Sequence, residues 1–215
     1  MNVLFLKIIA LATMIIDHYG AIFQSDTDIY RIIGRIAFPV YCFLLVEGYL
    51  HTGDVKKYGK RLLLFAVLSE IPFDLAFYGK LGFVHQNIFF TLIIGLVAIH
   101  FIDNKDGLYK LNKNLVLAAA FILSVVLAVD YNIIGIIYIL VFYFTRNYPK
   151  TKGLSYVAAI MLLTNLMASP LQQFSLLALP LVFFYNGDLG PKNKFLQMLF
   201  YTAYPAHLLI FYFLK

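Results

Sequence analysis

Apolar residues occupy long runs along this chain, and short polar connections separate them. Several runs approach the roughly 20 residues that a helix needs to cross the hydrocarbon core of a bilayer, and the others are shorter. The pattern predicts an all-α, polytopic membrane helical bundle of about nine transmembrane helices. The runs are Val3–Phe23, Ile32–Tyr49, Leu62–Phe77, Ile88–Phe101, Leu115–Val129, Ile133–Phe144, Leu154–Met167, Leu171–Tyr185 and Phe195–Leu214.

Composition supports this fold class. The 215 residues are 62% hydrophobic and 13% charged, with a mean hydropathy of +0.82, which lies far outside the usage of soluble proteins. The spans leave no room for a soluble domain, so we expect residues 1–215 to form a single integral-membrane domain. Val3–Phe23 is too long for a signal-peptide core and is expected to be a retained first span. Cys42 is the single cysteine, which excludes an intrachain disulfide.

The net charge of +6 indicates topology rather than a nucleic-acid partner, because the basic residues are concentrated in alternate connections. The four basic connections cover residues 51–61, 103–113, 146–152 and 186–194, whereas the other connections contain only Lys80. Since Lys and Arg are enriched in cytoplasmic loops, the pattern predicts a cytoplasmic N-terminus and an external C-terminus. Fusing the two runs within 115–144, or those within 154–185, would place similarly basic loops on opposite faces.

Charged and polar residues inside the apolar runs are the candidate functional residues. A charge at bilayer depth costs about 2.5–3.5 kcal/mol unless it is paired or hydrated. Arg31 and Arg35 are four residues apart, and so are Glu70 and Asp74, so each pair shares one helical face. The predicted topology places all the candidates in the outer half of the membrane. They are Asp17, His18, Arg31, Arg35, Glu70, Asp74, Asn87, Asp130 and His207.

These residues allow a structural and a functional interpretation. The arginines and carboxylates can form a buried ion-pair network that fixes helix order. His18 favours catalysis, because it adjoins Asp17 and a neutral imidazole accepts protons near neutral pH. His207 is open between a structural and a catalytic role, and we expect no chemistry at His85 and His100. No metal site is predicted, because Asp17 and His18 diverge by about 100° on a helix and no third ligand is fixed by the sequence.

The basic segment after the second run also has two interpretations. It starts at His51 and contains Lys56, Lys57, Lys60 and Arg61. Such a cluster ordinarily determines topology or contacts lipid head groups. The alternative is that it binds an anionic cytosolic ligand that carries phosphates.

Several stretches resemble the TraX family of bacterial membrane proteins. They are LKIIALATMIIDHYG, YRIIGRIAFPVYCFLLVEGYLHTGDVKKYGKRLL, SEIPFDLAFYG followed by QNIFFTL, DYNIIGI and YPAHLLI, and they extend over essentially the whole chain. The signatures IDH, R-x3-R-x-AFP, EGYLHT and EIPFDL occur in this order. The resemblance implies an acyltransferase of the bacterial cytoplasmic (inner) membrane. The family is named for N-acetylation of a conjugative pilin subunit and looks related to multispanning enzymes that use cytosolic acyl-CoA to modify acceptors at the outer face.

The resemblance and the polar layer together suggest a mechanism. We expect His18 to take a proton from an acceptor amine or hydroxyl, with Asp17 or another carboxylate orienting it, and acetyl-CoA to be the acyl donor. Direct attack and an acetyl-His18 intermediate both stay open. Candidate oxyanion donors are Arg35, Asn87 and His207. Expected acceptor-binding residues are Arg31, Glu70, Asp74, Asp130 and Tyr131, and expected acyl-CoA-binding residues are His51, Lys56, Lys57, Lys60 and Arg61.

The acceptor and the class of protein have alternatives. A peptide amine, a sugar hydroxyl and a lipid head group are all open as acceptors. A proton-coupled transporter would use the same buried groups as a proton relay. The sequence shows no repeat of the transporter type, and the positions between Glu47 and the outer polar layer are apolar. A non-catalytic membrane assembly factor is the third possibility, in which His18→Ala would alter stability but no chemistry.

Overall fold

The structure of the protein, a computed structural model, describes residues 1–103, 111–191 and 193–215. Within these ranges the chain is helical, apart from turns and an isolated parallel bridge between Gln86 and Val129. A 3₁₀ helix, Pro170–Leu177, precedes α9. The α-helices are α1 Val3–Phe23, α2 Asp28–Gly34, α3 Ala37–His51, α4 Val55–Tyr78, α5 Ile88–Asp103, α6 Lys113–Val126, α7 Asn132–Thr145, α8 Lys150–Asn165, α9 Ala178–Phe183 and α10 Lys194–Leu214.

The predicted runs and the observed helices agree in order but differ at two places. The second run is broken, because α2 ends at Gly34 and α3 begins at Ala37. The eighth run is a 3₁₀ helix followed by a short α-helix. Pro180 contributes to this irregularity, since it has no N–H to donate within a helix. The breaks between α6 and α7, and between α8 and the 3₁₀ helix, confirm that 115–144 and 154–185 are not single helices. Lys105, Lys110 and Lys192 of the predicted basic loops lie outside the described residues.

Local sequence accounts for the ends of several helices. The Asn2 side chain accepts a hydrogen bond from the Phe5 N–H at 3.1 Å and caps α1. Asp54 does the same for α4 through the Lys57 N–H at 2.9 Å. Gly79 ends α4 with a φ of 67°, a left-handed conformation that glycine adopts without a Cβ clash.

The core is built around α3, α5 and α7. On α7, nearly every residue from Gly135 to Tyr143 is buried, which fits a helix that other helices surround. α3, α5, α6 and α8 all pack against α7. On the other side of the bundle, α1 packs against α2, α3 and α10, and α4 packs against α5 and α10. The N-terminal and C-terminal helices are therefore neighbours.

The outer surface is strongly apolar. On α4, Leu64, Val67, Leu68 and Ile71 form an exposed stripe at helical spacing, and each exposes between 53% and 60% of its surface. Val126, on α6, is 71% exposed. Continuous exposed apolar surface marks contact with a membrane or with another protein.

Among the described residues, two helical segments are long and apolar enough to cross a membrane. They are Val3–Phe23 and Asp28–His51, the second of which comprises α2 and α3. Ile88–Asp103, Lys113–Val126 and Asn132–Thr145 are apolar but shorter. These segments and the apolar surface indicate membrane association. The count of nine spans stays a prediction.

Candidate functional site

A polar cavity of about 470 Å³ lies where α1 and α2 meet the connection between α6 and α7. Six of the residues predicted from sequence line it, and they come from three separate elements. They are Asp17, His18, Arg31, Arg35, Asp130 and Tyr131. The structure therefore brings most of the expected polar layer into one cavity.

Asp17 is clamped between two arginines. The Arg31 Nη1 donates to Asp17 Oδ2 at 2.7 Å, and the Arg35 Nη2 donates to Asp17 Oδ1 at 2.7 Å. Gly34 makes this approach possible, because a Cβ there would lie 2.1 Å from Asp17 Oδ1. Both carboxylate oxygens are thus occupied by guanidinium groups, and Asp17 does not take the expected role of orienting His18.

His18 is paired with His207 instead. The His18 Nδ1 lies 2.6 Å from the His207 Nε2, and the His207 Nδ1 lies 2.8 Å from the Ala203 carbonyl oxygen on α10. The edges of Phe77 and Tyr204 pack against the His18 ring. This contact joins α1 to α10 across 189 residues of sequence. It places a possible proton acceptor in the wall of the polar cavity.

Glu70, Asp74 and Asn87 form a separate cluster that does not line the cavity. The Asn87 Nδ2 donates to the Ala66 carbonyl oxygen at 2.8 Å and also to Glu70 Oε2. Asp74 Oδ2 accepts a hydrogen bond from the Gly82 N–H at 2.8 Å. Because both amide protons of Asn87 are used inside this cluster, the structure does not leave it a donor for an oxyanion. These three residues instead join α4 to the start of α5.

The connection between α6 and α7 has a strained backbone. Ala128, Tyr131 and Asn132 have φ values of 48°, 61° and 45°, which non-glycine residues seldom adopt. Two backbone hydrogen bonds of 3.0 Å hold the connection to Gln86. Conformations of this kind cost about 1–3 kcal/mol each and concentrate at functional sites. The strained residues Tyr131 and Asn132 line the polar cavity.

This connection presents two side chains to the cavity. The Tyr131 ring stacks on Phe38 with 3.8 Å between ring centroids. Asp130 is half-buried, and this burial raises the pKa of its carboxyl to about 6. The nearby Asp17 also raises the pKa of Asp130, while Arg35 lowers it.

A second cavity, of about 510 Å³, adjoins the polar one. Met14, Tyr41, Ile88 and Tyr204 line both cavities, so the two spaces share a wall. The basic residues along the second cavity are Lys7, His51, Arg61 and Lys194. Of the five residues expected to bind acyl-CoA, His51 and Arg61 lie in this lining.

The other three expected acyl-CoA ligands, Lys56, Lys57 and Lys60, are exposed and lie outside the cavity lining. Lys7 and Arg61 have no salt bridge to a carboxylate in the part of the chain that the structure describes. Their cationic groups lie over the rings of Phe200 and Tyr58, at 5.8 Å and 5.6 Å from the ring centroids. Two cations without anionic partners beside a cavity are suited to bind an anion.

Several residues that line the two cavities were not predicted from sequence. Lys7 precedes His18 by 11 residues, which is about three helical turns, so the two share a face of α1 and this spacing was a usable signal. His85 lines the polar cavity although we expected no chemistry there. Gln172, which accepts from the Arg35 Nη1 at 3.3 Å, and Tyr204 lie in apolar runs and gave no signal. Among the described residues, no group of three or more His, Cys, Asp or Glu side chains is placed to hold a metal ion.

The fold and the cavities define a class: a helical, membrane-associated protein with a partly buried histidine pair beside two adjacent cavities. The sequence model of the family described as TraX protein matches residues 3–215, and the chain belongs to this family. The identification made from the sequence signatures is therefore confirmed.

Two relatives align along most of their length. The "Probable fimbrial assembly protein FimC, serogroup H1" of Dichelobacter nodosus is 31% identical over 229 residues, which cover 94% of this chain and 91% of the relative. The "Uncharacterized protein RP591" of Rickettsia prowazekii (strain Madrid E) is 29% identical over 197 residues, or 90% of this chain and 74% of that protein. No solved structure matches the chain.

Proposed function

We propose that this protein is a membrane-embedded acyltransferase. It moves an acetyl or longer acyl group from cytosolic acyl-CoA to an amine or hydroxyl at the extracytoplasmic face. A peptide amine, a sugar and a lipid head group all stay open as acceptors. The observation that carries the proposal is the pair of adjacent cavities: one is lined by cations that have no carboxylate partner among the described residues, and the other is lined by His18 of the His18–His207 pair.

The dimensions of α1 fit an extended acyl-CoA. Lys7 and His18 share a helical face and are about 16 Å apart along the axis, at 1.5 Å per residue. Acyl-CoA carries phosphates at one end and a thioester at the end of a long flexible arm. With the phosphates near Lys7 and Arg61, the arm would pass Met14 and Tyr204, and the thioester would reach His18.

The transfer step balances with the groups present. His18 takes the proton of the acceptor N–H or O–H as the acceptor atom forms a bond to the thioester carbon. The resulting tetrahedral intermediate collapses, the C–S bond breaks, and the CoA sulfur receives the proton from the His18 imidazolium. An acetyl-His18 intermediate would split this sequence into two transfers.

Arg31 is the better placed of the two arginines to contact a substrate. The Arg35 guanidinium donates to Asp17, Gln172 and the Arg31 carbonyl oxygen, and its side chain is 12% exposed. The Arg31 side chain is 31% exposed and has donors that are not used by Asp17. It would supply positive charge to the oxyanion or to an anionic part of the acceptor.

The proposal includes a multi-pass location in the bacterial cytoplasmic membrane. The exposed apolar stripe on α4 and the apolar face of α6 support it, because lipid chains would cover both surfaces. The shorter helices can be accommodated by local thinning of the bilayer.

The test is the melting temperature of the detergent-purified protein with acetyl-CoA and with longer acyl-CoAs, against adenosine bisphosphate as a control. A ligand that binds only the folded state raises its stability, by about 2.7 kcal/mol at 100 times the dissociation constant. We expect a saturable rise that Lys7→Gln or Arg61→Gln reduces. Lys56→Gln, which removes an exposed cation outside the cavity, should leave the rise unchanged. No rise at millimolar acyl-CoA in a folded sample would contradict the proposal.

A non-catalytic assembly factor is the second candidate, and the printed name of the Dichelobacter nodosus relative favours it. In that case His18 and the arginines would only stabilise the fold. Acyl-CoA would then produce no shift in melting temperature, and the same experiment separates the two functions. A proton-coupled transporter would also give no response to acyl-CoA.

A further inference from the structure

We propose that His207 is a positioning residue that fixes the tautomer of His18. It accepts the His18 Nδ1–H and thereby leaves the His18 Nε2 unprotonated, as the atom that takes the acceptor proton. The catalytic consequence depends on the proposed acyltransferase function, but the tautomer itself does not.

The Ala203 carbonyl oxygen determines the direction of the hydrogen bonds. A carbonyl oxygen can only accept, so the His207 Nδ1 at 2.8 Å from it must carry a hydrogen. A neutral imidazole has one N–H, so the His207 Nε2 carries a lone pair. The 2.6 Å contact between that nitrogen and the His18 Nδ1 needs a donor, and the His18 Nδ1–H is the one available. By the same count, the His18 Nε2 carries a lone pair.

The surroundings favour neutral rings. His207 is 6% exposed, and the rings of Tyr204 and Phe211 pack against it edge-on. No hydrogen bond from either imidazole to a carboxylate occurs among the described residues. A buried charge without an anionic partner is costly, so the resting pair is expected to carry no net charge.

The same hydrogen bond would act during proton transfer. When the His18 Nε2 gains a proton, the His18 Nδ1–H donates from a cation, and hydrogen bonds of this kind are roughly twice as strong as neutral ones. His207 would therefore stabilise the imidazolium in the place that sequence reasoning gave to Asp17. The carboxylate of Asp17 is held by Arg31 and Arg35, so it is not available to the His18 or the His207 ring.

Nitrogen NMR of the protein labelled with ¹⁵N-histidine tests the tautomer without any substrate. The His18 signals are assigned from their disappearance in His18→Gln. We expect His18 to carry its hydrogen on Nδ1. In His207→Gln, a side-chain carbonyl can replace the acceptor and the tautomer should persist. In His207→Leu, which has no acceptor, His18 should populate the Nε2–H form.

The enzymatic arm measures hydrolysis of acetyl-CoA, in which water replaces the acceptor. We expect His207→Leu to lower kcat by about 10²–10⁴-fold with an unchanged KM for acetyl-CoA, and His207→Gln to recover most of this loss. An acyl-CoA-dependent rise in melting temperature shows that each variant is folded and binds the donor.

A wild-type His18 with its hydrogen on Nε2, or an unchanged tautomer in His207→Leu, would overturn the inference. Equal hydrolysis by His207→Leu and wild type would overturn the positioning role. Absence of acetyl-CoA binding and hydrolysis in every variant would instead overturn the proposed function, while the NMR result would still decide the tautomer.

Discussion

Replacing Gly34 with alanine is expected to open the contact between α1 and α2. The added Cβ would lie 2.1 Å from Asp17 Oδ1 and 2.2 Å from Asp17 Cβ. An ordinary contact begins at 3.4 Å, so the two helices must separate by about 1.3 Å, the difference between 3.4 Å and 2.1 Å. The two 2.7 Å hydrogen bonds from Arg31 and Arg35 to Asp17 would then exceed hydrogen-bonding distance.

The expected loss of stability follows from these contacts. A hydrogen bond to a charged group contributes about 1.5–3 kcal/mol, and overpacking costs about 1–3 kcal/mol. The Arg31–Asp17 hydrogen bond is left out of the sum, because the Arg31 side chain is 31% exposed and water screens this ion pair. Counting only the Arg35 hydrogen bond and the overpacking, we expect Gly34→Ala to lower the free energy of unfolding by about 2.5–6 kcal/mol.

Denaturation of the purified protein in detergent measures this loss. Gly59→Ala is the matched control, because the nearest atom to its added Cβ is Leu96 Cδ2 at 3.9 Å. It should leave stability unchanged or raise it by up to about 1 kcal/mol through helix propensity. If Gly34→Ala and Gly59→Ala have the same denaturation midpoint, the inference that α2 packs closely on Asp17 is wrong.

Four further predictions test other parts of the molecule. His18→Ala should lower acetyl-CoA hydrolysis by about 10²–10⁴-fold while acetyl-CoA still raises the melting temperature of the variant, and full activity would refute its role as a base. Met14→Phe places a larger side chain in the wall that both cavities share and narrows the space for the acyl-CoA arm. Hydrolysis should therefore fall about tenfold or more, while acetyl-CoA still raises the melting temperature. Since the pKa of Asp130 is raised, its folded form holds a proton that the unfolded form releases, and stability should fall as pH rises from 3.8 to about 6. Asp130→Asn should abolish that slope in denaturation experiments at several pH values. Tyr138→Phe removes the hydroxyl that bonds to the buried Asn165, and calorimetry or denaturation should show a loss of about 1–3 kcal/mol.

Residue identity was enough to locate most of the polar cavity, because charged side chains stand out in apolar runs. Asp17, His18, Arg31 and Arg35 were all found in this way. The partner of each was not predictable. Asp17 and His18 are adjacent, yet they leave α1 about 100° apart, so one faces α2 and the other faces α10. Asn87 was equally conspicuous, but its amide is used up by Glu70 and Ala66.

The basic residues that line the second cavity were also only partly predictable from the sequence. The segment from His51 to Arg61 was a candidate anion site in the sequence. The cavity takes only His51 and Arg61 from that segment and adds Lys7 and Lys194 from α1 and α10. Basic residues that are close together in the sequence show only that one segment is positively charged. A binding cavity depends on which helices pack together, and charges that are distant in sequence can meet there.

The helical class, the order of the helices, the family and the residue types available for chemistry all follow from the amino-acid sequence. These features depend on hydrophobic periodicity and on signatures that are read locally along the chain. Only helix packing brings His18 to His207, places Asp17 between two arginines and puts Met14 in the wall of both cavities. Those contacts depend on the packing of helices against one another. The absence of a side chain at positions such as Gly34 determines how closely two helices approach.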